Sequence, residues 1–253
     1  MRLAALGPAL VGVLLLSGLS HAQGVDQFGA YGGLERQGYR RSPQEVAFEI
    51  RFGPYRPNVD DQLAGSPYAD IFGDSTRWQF GLELDWQLLR IPELLSFGPG
   101  VGFGYTRSGA KAPLESGAGL SAQDTALNIM PFHAVGVVRL DVLADRFRVP
   151  LCPYAKLGLG YALWWSVDGE KLGRDAAGIE GEDASYGLVY SLGIVARLDW
   201  LDPADAASAD ASLGINHAGL FIEYFGSDLS GFGSNDVMQV GTSTWVAGLM
   251  LEI

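Results

Sequence analysis

The stretch TRWQFGLELDWQLL, residues 76–89, carries an apolar side chain at every second position and a tryptophan near each end. Trp78, Phe80, Leu82, Leu84, Trp86 and Leu88 fall on one face of an extended chain. Arg77, Gln79, Gly81, Glu83, Asp85 and Gln87 fall on the other. A strand this apolar on one side and this charged on the other belongs to a sheet with two unlike environments. Trp78 and Trp86 are eight positions apart, about 27 Å of strand at roughly 3.4 Å per residue. At a tilt of about 40° that projects to about 21 Å, near the roughly 25 Å apolar band between the aromatic girdles of a bilayer-spanning barrel.

The alternation recurs along the chain. It is seen in EVAFEIRF (45–52), FGPGVGFGYT (97–106), TALNIMPFHAVGVVRLDV (125–142) and PYAKLGLGYALWW (153–165). YGLVYSLGIVARLDW (186–200), HAGLFIEYF (217–225) and TSTWVAGLMLEI (242–253) bring the total to eight strands. Pro131 lacks an N–H and the apolar phase changes around it, so a bulge is expected there. Connections over 53–75, 107–124, 166–185 and 226–238 are long, and those near RIPELL and ADRFR are short. The remaining one, LDPADAASADASLG (201–214), opens on Asp-Pro and is rich in alanine, which predicts a short helix. Alternating long and short connections fit an up-and-down barrel with long loops at the cell exterior and short turns in the periplasm.

Composition agrees. Only 18% of the 253 residues are charged and 35 are glycine, against roughly 25% and 7% in an average soluble domain. The net charge of −12 disfavours nucleic acid, whose phosphates it would repel. Cys152 is the only cysteine, which excludes an intrachain disulfide and a thiolate metal centre. The first residues, MRLAALGPALVGVLLLSGLSHAQG, read as a signal peptide over 1–22 cleaved after Ala22, with a retained anchor as the alternative. Residues 23–44 read as a polar, glycine-rich leader, and 45–253 as the barrel.

The alternation alone does not decide which face is outside. In a lipocalin-like soluble barrel the apolar face points inward, and in a membrane barrel it points to lipid. The girdle spacing favours the membrane. The charges of the other face, Glu49, Arg51, Arg77, Glu83, Asp85, Lys156, Arg197, Asp199 and Glu223, then line the interior. There they are expected to pair, because an unpaired buried charge is costly. Gly100, Gly102, Gly104, Gly158, Gly160 and Gly193 on the same face leave room for them.

The signal peptide, the alternating strands and the final strand TWVAGLMLEI (244–253) resemble the small bacterial outer-membrane β-barrels of the OmpA/OmpX-like group. Such barrels usually end in Phe or Trp, whereas this chain ends in Ile253. FEIRFGPYRPNVD, SPYADIFG, LNIMPFHAVGVVRLD, PYAKLGLGYALWW and GINHAGLFIEYF are similar to an uncharacterised myxobacterial outer-membrane barrel family. The resemblance implies an eight-stranded antiparallel up-and-down transmembrane β-barrel, in which the short helix read from 201–214 falls on the periplasmic side between strands six and seven. It implies the cell outer membrane of a Gram-negative envelope, contact with membrane lipid and lipopolysaccharide, insertion by the barrel assembly machinery, and a monomer. It brings no catalytic, cofactor-binding or metal-binding residues.

His133 and His217, with Ser191 or Ser243 and Glu223, could supply the residue types of an acyl-hydrolase triad, but no GxSxG, HExxH or CxxC motif is present. The acids of 166–185 (Asp168, Glu170, Asp175, Glu180, Glu182 and Asp183) match no EF-hand spacing and read as a solvated loop, with a divalent-cation site on the clustered carboxylates as the alternative. Residues 51–74 mix aromatics, prolines and charges in the manner of an ordered lid over the barrel mouth, with a partner-binding loop as the alternative. The expected role is structural or interaction-based, through surface loops, and not enzymatic. A narrow channel, a lipid-modifying enzyme and a soluble lipocalin-like periplasmic binding barrel are the alternatives.

Overall fold

The computed structural model describes residues 45–62, 65–74, 76–113, 120–169, 171–173, 180–234 and 236–253. The expected signal peptide and leader lie outside these residues. Eight long strands form the fold: β1 (Val46–Tyr55), β2 (Arg77–Trp86), β3 (Leu95–Pro113), β4 (Leu120–Leu140), β5 (Leu151–Asp168), β6 (Glu182–Arg197), β7 (His217–Asp228) and β8 (Thr242–Glu252). Each pairs antiparallel with the next, and β1 pairs with β8 from Ala47 opposite Glu252 to Phe52 opposite Ala247. The sheet is therefore closed, and no long strand keeps an unpaired edge. At the seam Glu45 and Val46 donate backbone N–H groups to the Ile253 carbonyl at 2.9 and 3.0 Å.

Register turns the sequence alternation into two surfaces. Trp78, Phe80, Leu84 and Trp86 point outward, Trp78 with 62% of its surface exposed, while Gly81, Glu83 and Asp85 are buried within the barrel. The same holds for β6, where Leu188, Tyr190 and Leu192 are exposed and Ser191 and Arg197 are buried. This is the reverse of a lipocalin-like soluble barrel. Aromatics gather at both rims of the apolar belt. Phe52 stacks on Trp78 with ring centroids 4.5 Å apart, and Tyr224 meets Trp245 edge-on at 5.6 Å, both at the loop end. Trp86, Trp200 and Phe147 are exposed at the end that carries the barrel's first and last residues. No helix among the described residues is long and apolar enough to cross a membrane.

Two expectations are corrected. The bulge at Pro131 does not occur. Pairing of β3 with β4 lapses where Gly104 and Tyr105 face Pro131 and Met130, then resumes in the same register at Thr106 opposite Ile129. Proline removes a donor without inserting a residue, so the ladder is interrupted and not shifted. The apolar phase changes there because Val135 and Val137 pack into the interior while Phe132 and Val138 face out. The register shift lies instead between Lys111 and Pro113. That places it within 107–124, expected as a loop and found to be largely a hairpin extension of β3 and β4.

The expected helix is present as α4 (Pro203–Leu213), after α1 (Val59–Gln62), α2 (Pro67–Phe72) and α3 (Val142–Asp145). The Asp202 carboxylate accepts from the Ala204 and Asp205 N–H groups at 3.1 Å each. Gly214 ends the helix with φ 71°, a left-handed conformation that side-chain-bearing residues avoid.

The outward belt makes a quantitative forecast. Leu82→Arg, at mid-belt, is expected to cost about 2–4 kcal/mol of folding free energy in lipid, and Leu88→Arg, beyond the Trp86 girdle, about 0–1 kcal/mol. Urea titration of the refolded variants in phospholipid vesicles measures both, and equal costs would contradict the orientation.

Candidate functional site: a charged cluster beneath an apolar plug

The inward faces of six strands, β1, β2, β4, β5, β7 and β8, bring opposite charges together in the half of the barrel nearer the chain ends. Glu49 and Arg51 stand two residues apart on β1, so both point inward. The Arg51 guanidinium donates to Glu49 at 3.2 Å and also to Glu83 and Glu223. The Lys156 ammonium on β5 donates to Glu49 at 2.8 Å and Glu83 at 2.7 Å, and lies 3.6 Å from Asp85. The Tyr154 hydroxyl donates to Glu223 at 2.8 Å, and a ring nitrogen of His133 lies 2.9 Å from Glu83. Arg139 bonds Glu252 and lies 3.8 Å from Asp85. Glu49 and Glu223 are wholly buried.

Space for these groups comes from glycine on neighbouring strands. A Cβ at Gly100 would stand 2.2 Å from an Asp85 oxygen, and one at Gly102 would stand 2.4 Å from the His133 ring. The glycine-rich wall is thus filled by the polar side chains facing it. Glu49, Glu83 and Asp85 offer oxygens that lie within 4.8 Å of one another, the kind of convergence a hard cation takes. The Lys156 ammonium stands among those same three carboxylates and supplies the positive charge there.

Above this cluster the interior turns apolar. Tyr55, Val59, Leu127, Ile129, Leu229 and Val240 are buried together toward the loop end. The connection between β1 and β2 covers them, as an ordered lid. The Asp60 carboxylate accepts from the Tyr68 and Ala69 N–H groups at 2.7 and 3.2 Å, which joins α1 to α2. Gln62 donates to the Ser234 and Val237 carbonyls and accepts from the Gln239 N–H, tying the lid to the β7–β8 connection. Tyr68 and Ser108 share a 2.7 Å hydrogen bond that fixes α2 to β3. Between the charged and apolar zones lies a cavity of about 30 Å³, lined in part by Arg51, Gln79, His133 and Phe225. That is room enough for a water molecule.

Three expected lining residues lie away from the central cluster, toward the two ends of the barrel, and of these Arg197 is buried in the lumen. Arg77 lies at the loop end, with its guanidinium 3.4 Å from the Phe72 carbonyl and 3.3 Å from that of Gly109. Arg197 pairs with Asp141 at 2.9 Å and Asp145 at 2.8 Å at the opposite rim. Burial raises the Asp141 carboxyl above its ordinary pKa, while Arg197 pulls it down. Asp199 lies beyond the end of β6, where it bonds His217. The histidine and acid residue types of the triad have other partners, and Ser191 is buried on β6. His133 is on Glu83, His217 is on Asp199 at the terminal rim, Glu223 serves Arg51 and Tyr154, and Ser243 is exposed on β8. Of the acidic loop, Glu170 and Asp175 lie outside the described residues.

Arg139 and Glu252 are interior charges that the sequence alternation does not single out, whereas Tyr154 shares the lining face of its strand with Lys156. The phase was available: Arg139 shares parity with the buried Val135 and Val137, and Glu252 with the buried Val246 and Met250.

No protein-family model matches the chain. No curated protein matches it either. Among solved structures it is similar to Ail, the attachment invasion locus protein of Yersinia pestis, solved in complex with the heparin analogue sucrose octasulfate. Identity is 13%, with 83% of this chain and 97% of that one covered, at a TM-score of 0.43. It is also similar to the outer membrane protein OprG from Pseudomonas aeruginosa, at 12% identity, 84% and 97% coverage and a TM-score of 0.40.

Removing one member of a buried ion cluster leaves uncompensated charge, which costs about 3–5 kcal/mol. Lys156→Met is expected to show a loss of that size in the urea midpoint of the refolded protein. Adding Glu83→Gln to it is expected to restore part of the loss, because one stranded carboxylate goes with the cation. A double variant as unstable as the sum of its singles would show that Lys156 and Glu83 act independently.

Proposed function

We propose that the chain is a monomeric β-barrel of the Gram-negative outer membrane that passes no solute of porin size and acts through its loop-end surface. The observation that carries this reading is the filled lumen. A wide channel needs a continuous wet path. Here Arg51, Arg139 and Lys156 are locked among Glu49, Glu83, Asp85, Glu223 and Glu252, and the apolar plug closes the mouth above them. An eight-stranded barrel is about wide enough to be filled by its own side chains. With transport disfavoured, the remaining outward feature is the platform of α1, α2, the β3–β4 hairpin extension and the β7–β8 connection, held together by Gln62, Asp60 and Tyr68.

The apolar belt and its aromatic rims support contact with outer-membrane lipid, including lipopolysaccharide. The alternating final strand through Trp245, Leu249 and Leu251 supports delivery by the barrel assembly machinery. Up-and-down topology puts both barrel ends on one side, taken as the periplasm, and α4 then lies there as well. With His133 on Glu83 and His217 on Asp199, a structural or surface-interaction role is favoured over hydrolysis.

Single-channel recording of the refolded protein in a planar bilayer is expected to show no stable openings of porin size. Such openings would reject the filled-lumen reading. An epitope inserted after Gly178, between β5 and β6, is expected to be labelled on intact cells. Labelling only after lysis would invert the topology, and recovery in the soluble fraction would reject the membrane assignment.

A further inference from the structure

The outer wall carries a trench that the filled interior does not explain. It crosses β3 to β6 and has a volume of about 510 Å³, within the roughly 300–1,000 Å³ of small-molecule sites. Its floor is the backbone of a paired row: Gly102 opposite His133, His133 opposite Gly160, Gly160 opposite Gly187. All four side-chain positions of that row turn inward, and three hold only hydrogen. Phe132, Tyr161 and Tyr186 form one bank, and Val101, Ala134 and Leu159 the other. Ala134 is the small member that widens the trench.

Its end toward the loops is roofed. Phe232 lines the trench, and its ring centroid lies 5.8 Å from that of Tyr186. Gly231, Phe232 and Gly233 all have positive φ, at 64°, 58° and 88°. A phenylalanine avoids that conformation, yet Phe232 is 63% exposed and fills no core. The Gly231 N–H donates to the Tyr186 carbonyl at 2.8 Å, which pins the tip to the edge of the trench.

We propose that this trench binds one hydrocarbon chain of a membrane lipid, with Phe232 as its clamp. The inference rests on the membrane reading above. The trench is continuous with the apolar belt, so the occupant available to it is the lipid that covers the belt. The paired row Leu82, Phe103, Phe132, Tyr161, Tyr186 passes round the tilted strands from mid-belt to the base of the loops. The trench therefore lies in the loop-side half of the bilayer and runs along a chain's path there. Lipid tails are as apolar as the wall, so the hydrophobic effect does not select the occupant. Packing does: a chain seated between two banks and under a ring gains contacts on several sides that a chain on a flat wall lacks.

The test is photolabelling of protein refolded into phosphatidylcholine vesicles that contain a minor fraction of phosphatidylcholine with a diazirine in one acyl chain. Label is expected to concentrate on peptides carrying Phe132, Ala134, Leu159 and Phe232. Ala134→Trp, which fills the trench, is expected to abolish that concentration, and Phe232→Ser to weaken it. Leu220→Trp, on the lipid face of β7 outside the trench, is expected to leave it unchanged. Folding of each variant is read from heat-modifiable gel mobility, and Phe232→Ser carries the test if Ala134→Trp does not fold. Label spread evenly around the belt, or indifferent to both trench variants, would overturn the proposal. Failure of the wild-type protein to enter vesicles would instead overturn the membrane reading.

Discussion

The Lys156 ammonium, held by Glu49 and Glu83 on β1 and β2, is the interaction around which the barrel is arranged. A side chain from β5 reaches across the lumen to the strands opposite, which a narrow barrel permits and a wide one does not. Arg51 adds Glu223 from β7, and Arg139 adds Glu252 from β8, so charges join strands that are not neighbours in the sheet. Because side chains alternate, a slip of one residue in any of these strands would carry a charge to the apolar outer surface. The cluster thus fixes register. A well-packed apolar interior could match it in stability, since taking charges out of water offsets much of their attraction.

Below the lid, interior chemistry changes along the barrel axis. The half near the chain ends is charged, and the half near the loops is apolar, with Tyr55, Ile129 and Leu229 in place of acids and bases. An apolar plug can be closed by a lid that needs little polar complementarity. The lid's own polar groups are used on one another: Asp60 on the start of α2, Gln62 on the β7–β8 connection, Tyr68 on Ser108. Among the described residues, these bonds tie the lid to β3 and to the β7–β8 connection.

The strands and their orientation were legible in the sequence because side-chain alternation is a local property of an extended chain. The span from Trp78 to Trp86 set the height of the apolar belt. The Asp202 cap and Pro203 marked α4 before any contact was known. Within the site, Glu49, Arg51, Glu83, Asp85, Lys156 and Glu223 were identifiable as interior charges from the same phase. Arg139 and Glu252 shared that phase and lacked only the neighbouring polar residues that make it conspicuous.

What tertiary structure alone decided is distance around and along the barrel. Arg77, Arg197 and Asp199 have the right phase but lie at the rims, because phase gives a face and not a height. His133 and Glu223 suggested a catalytic pairing by type, and strand order gave His133 to Glu83. The plug, the lid and the trench roofed by Phe232 join residues far apart in the chain through side-chain packing. No local pattern encodes such contacts; they exist only once the closed sheet sets the positions of its strands.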